Sequence, residues 1–211
     1  MSKSTFSWEK YNETPVVGIM RGFSMEQIKE IIPVYIDSGF YTVEITMNSE
    51  NAEASIATLA KEYPTLNVGA GTVCNMDDLK RALDAGSQFI VTPVIDEDVI
   101  SYCVAHKIPV FPGAYTPTEI YKAWSLGASA VKIFPATQLG TKYIKDILGP
   151  LNTIKLLPTG GVDKNNIADF FKVGVVGCGM GGSLFDKNII ASGDKVALKV
   201  HFDAIKKATK I

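Results

Sequence analysis

Histidine and cysteine are scarce in this chain of 211 residues, and this scarcity restricts the chemistry that the chain can support. The two histidines, His106 and His201, lie far apart in the sequence, so they cannot form a metal site built on several histidines. Cys74, Cys103 and Cys178 form no C-x-x-C pair, which indicates neither a disulfide framework nor a zinc site. The sequence therefore predicts no bound metal and no cofactor.

A strong net charge and long apolar segments are also missing. The formal net charge is −1 at pH 7, which provides no basic surface for nucleic acid and no attraction to an anionic membrane. No apolar run reaches the roughly 18 residues that a membrane-spanning helix needs. Met1 to Thr14 lack the apolar centre of a signal peptide. We therefore expect a cytoplasmic protein with one domain over residues 1–211 and a small molecule as its partner.

The chain does contain a series of short apolar segments that are rich in β-branched residues. Eight of them recur along the sequence: Val16–Met20, Tyr41–Thr46, Leu66–Ala70, Phe89–Thr92, Pro109–Phe111, Ala130–Phe134, Ile154–Leu157 and Val173–Cys178. Segments between them, such as Met25–Asp37 and Met76–Asp84, have helical periodicity. The glycines expected to close helices are Gly39, Gly86, Gly127 and Gly174. The residues expected to cap helix starts are Ser24, Ser49, Asn75, Asp96, Thr116 and Asp163.

Strands that alternate with helices pair in parallel, and eight such units predict a closed (β/α)8 barrel, an α/β fold of the TIM-barrel type. An open doubly wound sheet is the alternative, but Gly18 and Gly22 after the first strand do not fit the G-x-G-x-x-G spacing. Residues 1–15 are expected to form an extra helix, with Phe6 and Trp8 closing the bottom of the barrel. Asp194–Ala208 is expected to be the closing helix.

Lys132 stands among apolar residues in the sixth of these segments, between Val131 and Ile133. Burial disfavours the ammonium form, so the pKa of Lys132 should fall from about 10.4 toward neutrality. A neutral amine can attack a ketone and form a Schiff base. The alternative is a lysine at a strand edge whose amine reaches solvent.

Glu44 occupies the second segment. If Val43 and Ile45 face the helices, the alternation of side chains points Glu44 into the barrel, toward Lys132. A glutamate whose pKa lies near the working pH can move protons to and from an imine. An ion pair between Glu44 and Lys132 that serves only the structure is the alternative interpretation.

Further polar residues and glycines follow other strands, at the end of the barrel where this fold carries its chemistry. Arg21 and Thr72 are suited to hold a substrate carboxylate. Glycines after the last two strands let backbone N–H groups approach a phosphate, and a serine hydroxyl adds a donor. These residues are Gly160, Gly161, Gly182 and Ser183. A phosphate at one end and an imine at the other predict a phosphorylated keto acid and a Schiff-base lyase or aldolase.

Three other functions remain open on these residues. A phosphate-binding barrel that isomerises or condenses phosphorylated metabolites without an imine would use the same loops, with Lys132 as an electrostatic group. A metal-dependent aldolase is disfavoured by the two histidines. A ligand-binding barrel without catalysis is the alternative that is not an enzyme.

Over roughly Val16 to Phe185, the chain resembles the 2-keto-3-deoxy-6-phosphogluconate and 4-hydroxy-2-oxoglutarate aldolases. The motifs that carry the resemblance are Val43–Thr46, Val68–Val73, Val91–Pro93, Pro112–Gly113, Lys132–Ala136, Pro158–Val162 and Gly181–Ser183. The resemblance implies a class I aldolase that forms pyruvate and glyceraldehyde 3-phosphate, with 4-hydroxy-2-oxoglutarate as a further candidate substrate. It also implies a homotrimer of (β/α)8 barrels that uses no metal.

The same resemblance implies roles for individual residues. Lys132 would form the imine, Glu44 would shuttle protons, and Thr72 would help to hold the pyruvate carboxylate. The two glycine loops would bind the phosphate. Phe134 is expected to pack against the pyruvyl group, and Pro93 to shape the wall beside it.

One position departs from the family pattern. Many members that are specific for the gluconate have an arginine four residues after the glutamate, where this chain has Asn48. The local sequences Arg21-Gly22 and Met47-Asn48-Ser49 resemble more closely those of members that act on the 6-phosphogalactonate epimer. In those members the early arginine, here Arg21, contributes to substrate binding. The substrate epimer and the partner of the carboxylate, Arg21 or Asn48, therefore stay open.

Overall fold

A computed structural model describes residues 5–209, in which strands alternate with helices. The strands are β1 Val16–Met20, β2 Thr42–Thr46, β3 Asn67–Gly71, β4 Ile90–Val91, β5 Val110–Phe111, β6 Gly113–Ala114, β7 Val131–Ile133, β8 Leu156–Pro158 and β9 Cys178–Met180. The helices are α1 Trp8–Glu13, α2 Met25–Asp37, α3 Ala52–Glu62, α4 Met76–Asp84, α5 Glu97–Ala105, α6 Pro117–Ser125, α7 Gly140–Leu148, α8 Ile167–Lys172, α9 Lys187–Ser192 and α10 Lys195–Thr209. A short 3₁₀-helix, Ala136–Gln138, precedes α7.

The strand pairings are parallel, and they form two sheets. The larger sheet has the order β5-β4-β3-β2-β1-β9, and the smaller one has the order β6-β7-β8. Pro112 separates β5 from β6, because proline has no N–H group for the ladder. A parallel bridge between Thr159 and Gly179 joins the end of β8 to β9. The structure confirms the parallel α/β architecture, with two sheets where one closed ring of eight strands was expected.

The ends of the helices follow from their sequences in most cases. Gly39, Gly86, Gly127 and Gly174 all have positive φ, between 79° and 101°, as expected of residues that close helices. Side chains that accept a first-turn N–H cap the starts of four helices at predicted positions: Ser24, Asn75, Asp96 and Thr116. The other two predicted caps are wrong, because α3 begins after Asn51 and α8 after Asn166.

The last predicted strand, Val173–Cys178, is also misplaced. Val173 ends α8, Gly174 turns the chain with φ 97°, and β9 begins only at Cys178. Val173 and Val175 are apolar because they pack beside the core at a helix end, which a run of valines does not distinguish from a strand.

The bottom of the strands is closed by an aromatic cluster. Phe6 packs edge-on against Phe89 at 5.3 Å, and Tyr11 of α1 stacks on Phe111 at 6.4 Å between ring centroids. Trp8 contacts Phe111 edge-on but stays 44% exposed. A helix is therefore present in the predicted segment, but among residues 5–15 it covers Trp8–Glu13 only, and residues 1–4 of the prediction lie outside the described residues. Phe6 covers the interior more completely than Trp8 does. Within residues 5–209, no helix is long and apolar enough to cross a membrane.

Candidate active site

Lys132 lies at the centre of β7, and its side chain is buried, with 5% of its surface exposed. Its strand neighbours Val131 and Ile133 pack into the outer core, so Lys132 faces the interior as the alternation predicts. Burial lowers the pKa of Lys132; the nearby Glu44 carboxylate opposes this shift and the Arg21 guanidinium adds to it. The ammonium lies 4.7 Å from the centroid of the Phe134 ring, a contact that favours the charged form. A lysine that reaches solvent at a strand edge is therefore ruled out.

Glu44 lies on β2, which pairs with β1 on one side and β3 on the other. It is 1% exposed, and among the described residues its Oε2 atom has no hydrogen-bond partner. Burial raises the pKa of Glu44 to about 7, against the opposing effects of Lys132 and Arg21. Gly71 of β3 leaves room for the carboxylate, because a Cβ atom at that position would collide with Oε1. The result is a carboxyl group that can change its protonation near neutral pH.

Glu44 and Lys132 influence each other through space without a contact ion pair. Within residues 5–209, no nitrogen–oxygen contact of 4.0 Å or less joins them. A structural ion pair would have satisfied both groups, whereas here both remain available for other partners. A carboxyl and an amine with opposed pKa shifts, held in one dry interior, are typical of acid–base and nucleophilic sites.

A cavity of about 440 Å³ opens above β1, β7, β8 and β9 and brings together most of the predicted site residues. The predicted residues that line it are Arg21, Lys132, Phe134, Gly160, Gly161, Gly182 and Ser183. Arg21 is exposed and ends the strand β1, while Lys132 is the buried group on the floor. The cavity thus joins a cationic side chain, a buried amine and two glycine-rich loops in one space.

The glycine loops offer free hydrogen-bond donors to this cavity. Gly160 and Gly161 have φ values of 89° and 74°, a region that glycine adopts without strain. In the part of the chain that the structure describes, the backbone N–H groups of Gly161, Gly182 and Ser183 have no acceptor. The Ser183 hydroxyl, predicted to donate to a phosphate, instead donates to the Val162 carbonyl at 2.6 Å. The donors available for an anion are therefore mainly backbone groups.

Four predicted residues lie outside this cavity, and one of them, Glu44, lines a narrow void in the interior. Pro93 lines a neighbouring cavity of about 490 Å³ and shares it with Phe134, whose ring separates the two spaces. Thr72 and Asn48 line neither cavity, and Asn48 is exposed. Thr72 has a φ of 57°, which is unusual for a residue other than glycine and often accompanies a functional constraint.

Sequence reasoning missed other residues that line the main cavity. Thr159 is 4% exposed, and among residues 5–209 its hydroxyl has no partner. It also lines a narrow interior void next to Glu44. Thr159 lies two residues after Leu157, whose side chain points inward, so the alternation of side chains along a strand could have predicted that Thr159 also points inward. Asp163 and Lys187 line the other end of the cavity, and nothing in the local pattern distinguished them.

Side chains that can bind a metal ion are not clustered within residues 5–209. No group of three or more histidine, cysteine, aspartate or glutamate side chains within residues 5–209 lies close enough to hold a metal ion. Cys103 and Cys178 are buried free thiols, and Cys74 is exposed.

Comparison with known proteins places this geometry in a family. The family model described as KDPG and KHG aldolase matches residues 8–200. The chain belongs to that aldolase family. The abbreviations stand for 2-keto-3-deoxy-6-phosphogluconate and 4-hydroxy-2-oxoglutarate, so the resemblance noted in the sequence is confirmed.

Several aldolases of the family are similar over most of their length. A probable 2-dehydro-3-deoxy-6-phosphogalactonate aldolase of Rhizobium meliloti (strain 1021) is 33% identical, and the match covers 92% of this chain and 93% of that protein. A 2-dehydro-3-deoxy-phosphogluconate aldolase of Treponema pallidum (strain Nichols) is 32% identical, with 88% of each chain covered. A solved structure described as native KDPGal superposes with a TM-score of 0.86 at 32% identity, covering 97% of this chain and 96% of the other.

Proposed function

We propose that this chain is a class I aldolase that cleaves a 2-keto-3-deoxy-6-phospho sugar acid to pyruvate and glyceraldehyde 3-phosphate. One observation carries the proposal: the buried amine of Lys132, with its lowered pKa, lines the same cavity as the free N–H groups of the glycine loops. The amine suits covalent bonding to a ketone, and the loops suit a phosphate at the far end of the same molecule.

The chemistry divides between Lys132 and Glu44. The neutral amine of Lys132 attacks the C2 ketone, and the carbinolamine loses water with Glu44 handling the protons. The iminium then draws electrons from the C3–C4 bond as Glu44 removes the proton of the C4 hydroxyl. Glyceraldehyde 3-phosphate leaves, Glu44 returns a proton to the enamine, and water releases pyruvate from Lys132. A carboxyl with a pKa of about 7 suits both directions of proton transfer.

The remaining residues place the substrate along the cavity. The phosphate lies on the N–H groups of Gly161, Gly182 and Ser183, and the pyruvyl group packs on Phe134. Arg21 binds the substrate carboxylate in this proposal. Its side chain lines the cavity, and its charge lowers the pKa of both Lys132 and Glu44. Thr72, Pro93 and Asn48 are proposed as further substrate contacts, as the resemblance implies. No metal and no cofactor enters this scheme.

Reduction in the presence of pyruvate tests the imine directly. Borohydride should fix a pyruvyl adduct on Lys132, and mass spectrometry of peptides should find it there and not on Lys142 or Lys155. A barrel isomerase or synthase without an imine would resist inactivation, and a label on another lysine would refute the assignment of Lys132. Loss of activity in EDTA would instead favour a metal-dependent aldolase.

A separate experiment is needed to determine which 6-phospho epimer this chain prefers and whether it also cleaves 4-hydroxy-2-oxoglutarate. Relatives named for the galactonate are 33% and 36% identical to this chain, and relatives named for the gluconate are 32% and 33% identical, so identity alone does not separate the two substrates. A coupled assay of pyruvate release with both 6-phospho sugar acids and with 4-hydroxy-2-oxoglutarate ranks them by kcat/KM. A protein that binds the phosphate esters tightly but releases no pyruvate would be a binding protein and not an enzyme.

We further propose that residues 1–211 form one closed (β/α)8 domain, cytoplasmic and assembled as a homotrimer. The Thr159–Gly179 bridge and the hydrogen bond from Ser129 N–H to the Val110 carbonyl, at 3.0 Å, support closure of the ring. Exposed apolar side chains on and before α5 and α6 support a subunit contact; they are Val94, Tyr102, Val104, Tyr115 and Tyr121. Light scattering should give three times the monomer mass for the wild type, and Tyr121→Lys should shift it toward the monomer; a monomeric wild type would refute the trimer.

A further inference from the structure

The charged side chains that line the main cavity are not equivalent. They are Arg21, Lys132, Asp163 and Lys187. Arg21 and Lys132 belong to the end where Glu44 lies, and the charge of Arg21 lowers the pKa of both Glu44 and Lys132. Asp163 and Lys187 accompany the glycine loops after β8 and β9 at the other end.

The carboxylate of Asp163 is occupied by its own loop. Its Oδ1 atom accepts the backbone N–H groups of Asn165 at 2.7 Å and Asn166 at 3.2 Å. These bonds hold the turn that leads into α8. Asp163 therefore adds order to the loop, and its charge is already paired with local dipoles.

Lys187 has no such partner. Across residues 5–209, no carboxylate forms an ion pair with its ammonium and no hydrogen bond engages it. The side chain is exposed while it lines the cavity beside Gly182 and Ser183. It is a cation free to pair with whatever anion the glycine loops receive.

The backbone of Lys187 is nevertheless fixed. The preceding residue, Asp186, accepts the N–H groups of Asn188 at 2.8 Å and Ile189 at 3.1 Å, which holds the first turn of α9 in place. Asp186 is thereby engaged with the backbone and does not neutralise its neighbour. The flexible stem of Lys187 starts from a defined point next to the free N–H groups of the loop.

We propose that Lys187 determines the preference of this site for phosphorylated substrates, an inference that rests on the proposed aldolase function. Backbone N–H groups prefer a charged oxygen to a neutral one, but they carry no net charge and also bind a hydroxyl oxygen. The ammonium of Lys187 adds the Coulomb attraction of a full positive charge for a dianionic phosphate, and it contributes little at a neutral terminal hydroxyl. The alternative is that Lys187 remains a solvated surface lysine that happens to border the cavity.

Paired substrates separate these alternatives. Lys187→Met should raise the KM for the 6-phospho sugar acid about tenfold and leave kcat/KM for the unphosphorylated sugar acid unchanged. Lys187→Arg should restore most of the preference, and raised ionic strength should weaken the wild type more than Lys187→Met. Lys164→Met removes a nearby lysine that does not line the cavity, so it should behave as the wild type. Equal effects of Lys187→Met on both substrates, or no effect on either, would overturn the proposal.

Two further measurements distinguish failure of this inference from failure of the proposed function. Trapping of pyruvate on Lys132 by borohydride should proceed equally in the wild type and in Lys187→Met, since pyruvate carries no phosphate. Calorimetry with inorganic phosphate requires no turnover, and its Kd should rise about tenfold in Lys187→Met. If the wild type trapped no pyruvate, the aldolase would be refuted while the phosphate measurement still judged Lys187. An unchanged Kd would refute the role of Lys187.

Discussion

The two ends of the strands carry opposite kinds of surface. At the bottom, Phe6, Phe89 and Phe111 fill the interior, and the polar groups that contact this cluster are bonded: the Tyr11 hydroxyl donates to the Val176 carbonyl, and Asn67 binds Ser7 through both its amide atoms. Farther out, the buried hydroxyls of Ser38 and Ser87, in the loops before β2 and β4, have no partner within residues 5–209. At the top, buried polar atoms of Glu44 and Thr159 have no partner within residues 5–209.

This difference shows where folding free energy is gained and where it is given up. Burial of large aromatic rings stabilises the fold, whereas each buried polar atom without a partner costs about 1–3 kcal/mol. Such a cost is tolerated where a ligand supplies the missing partner. The bottom is therefore expected to govern stability and the top to govern chemistry, the division that (β/α)8 barrel enzymes show.

The largest expected effect is at the top, from loss of Glu44, the proposed proton carrier. Glu44→Gln keeps the shape of the side chain but cannot accept a proton, so kcat should fall by about 10³ in a pyruvate-release assay. Borohydride trapping of pyruvate on Lys132 should continue at a reduced rate. Unchanged turnover would exclude Glu44 as the proton carrier.

The bottom should respond mainly through stability, as long as its interior stays dry. Phe89→Ala removes a fully buried ring and should lower the free energy of unfolding by about 3–5 kcal/mol in urea titrations. The space left is lined by apolar groups and stays dry, so kcat and KM of the folded protein should match the wild type. A large loss of kcat with unchanged stability would contradict the separation of the two ends.

Gly71 links the fold to the chemistry. A methyl group at this position collides with the Glu44 carboxylate, so Gly71→Ala should displace it and lower kcat by about a hundredfold. Gly149→Ala is the matched control, because Gly149 has a φ of −58° and its added Cβ would meet the nearest atom at 3.4 Å. Equal activity of the two variants would show that Glu44 tolerates displacement.

The smallest expected effect is a change of stability with pH. The pKa of Glu44 is about 7 in the folded protein and about 4.3 when unfolded, so the folded state binds more protons between these values. The stabilisation is complete below about pH 4.3 and is lost as the pH rises through about 7. Between these limits the wild type should lose more unfolding free energy than Glu44→Gln. Parallel curves for the two proteins would contradict the raised pKa.

Local rules predicted much of this arrangement. Strand alternation placed Glu44 and Lys132 in the interior, and the glycines with positive φ marked the ends of helices, because both features depend only on neighbouring residues. The N-terminal helix and the inward position of Phe6 were also predicted.

Other features depend on distant contacts that a sequence does not display. Ser49 does not cap α3, because its hydroxyl accepts the N–H of Gly22 from another loop and pairs with Thr46. Lys187 borders the cavity at the start of α9, where the Asp186 side chain caps the helix. The division of the strands into two sheets depends on Pro112, whose position within a strand was not anticipated.

Phe111 belongs both to the aromatic cluster at the bottom and to the wall of the narrow void beneath Glu44. Burial is the leading cause of the pKa shifts of Glu44 and Lys132. This burial requires that water does not enter the interior from the bottom of the strands. The segment that contains Phe6, Trp8 and Tyr11 covers Phe111 and thus helps to keep water out of the void that Glu44 lines. A segment that carries none of the proposed site residues thereby contributes to the burial on which the pKa shifts of Glu44 and Lys132 depend.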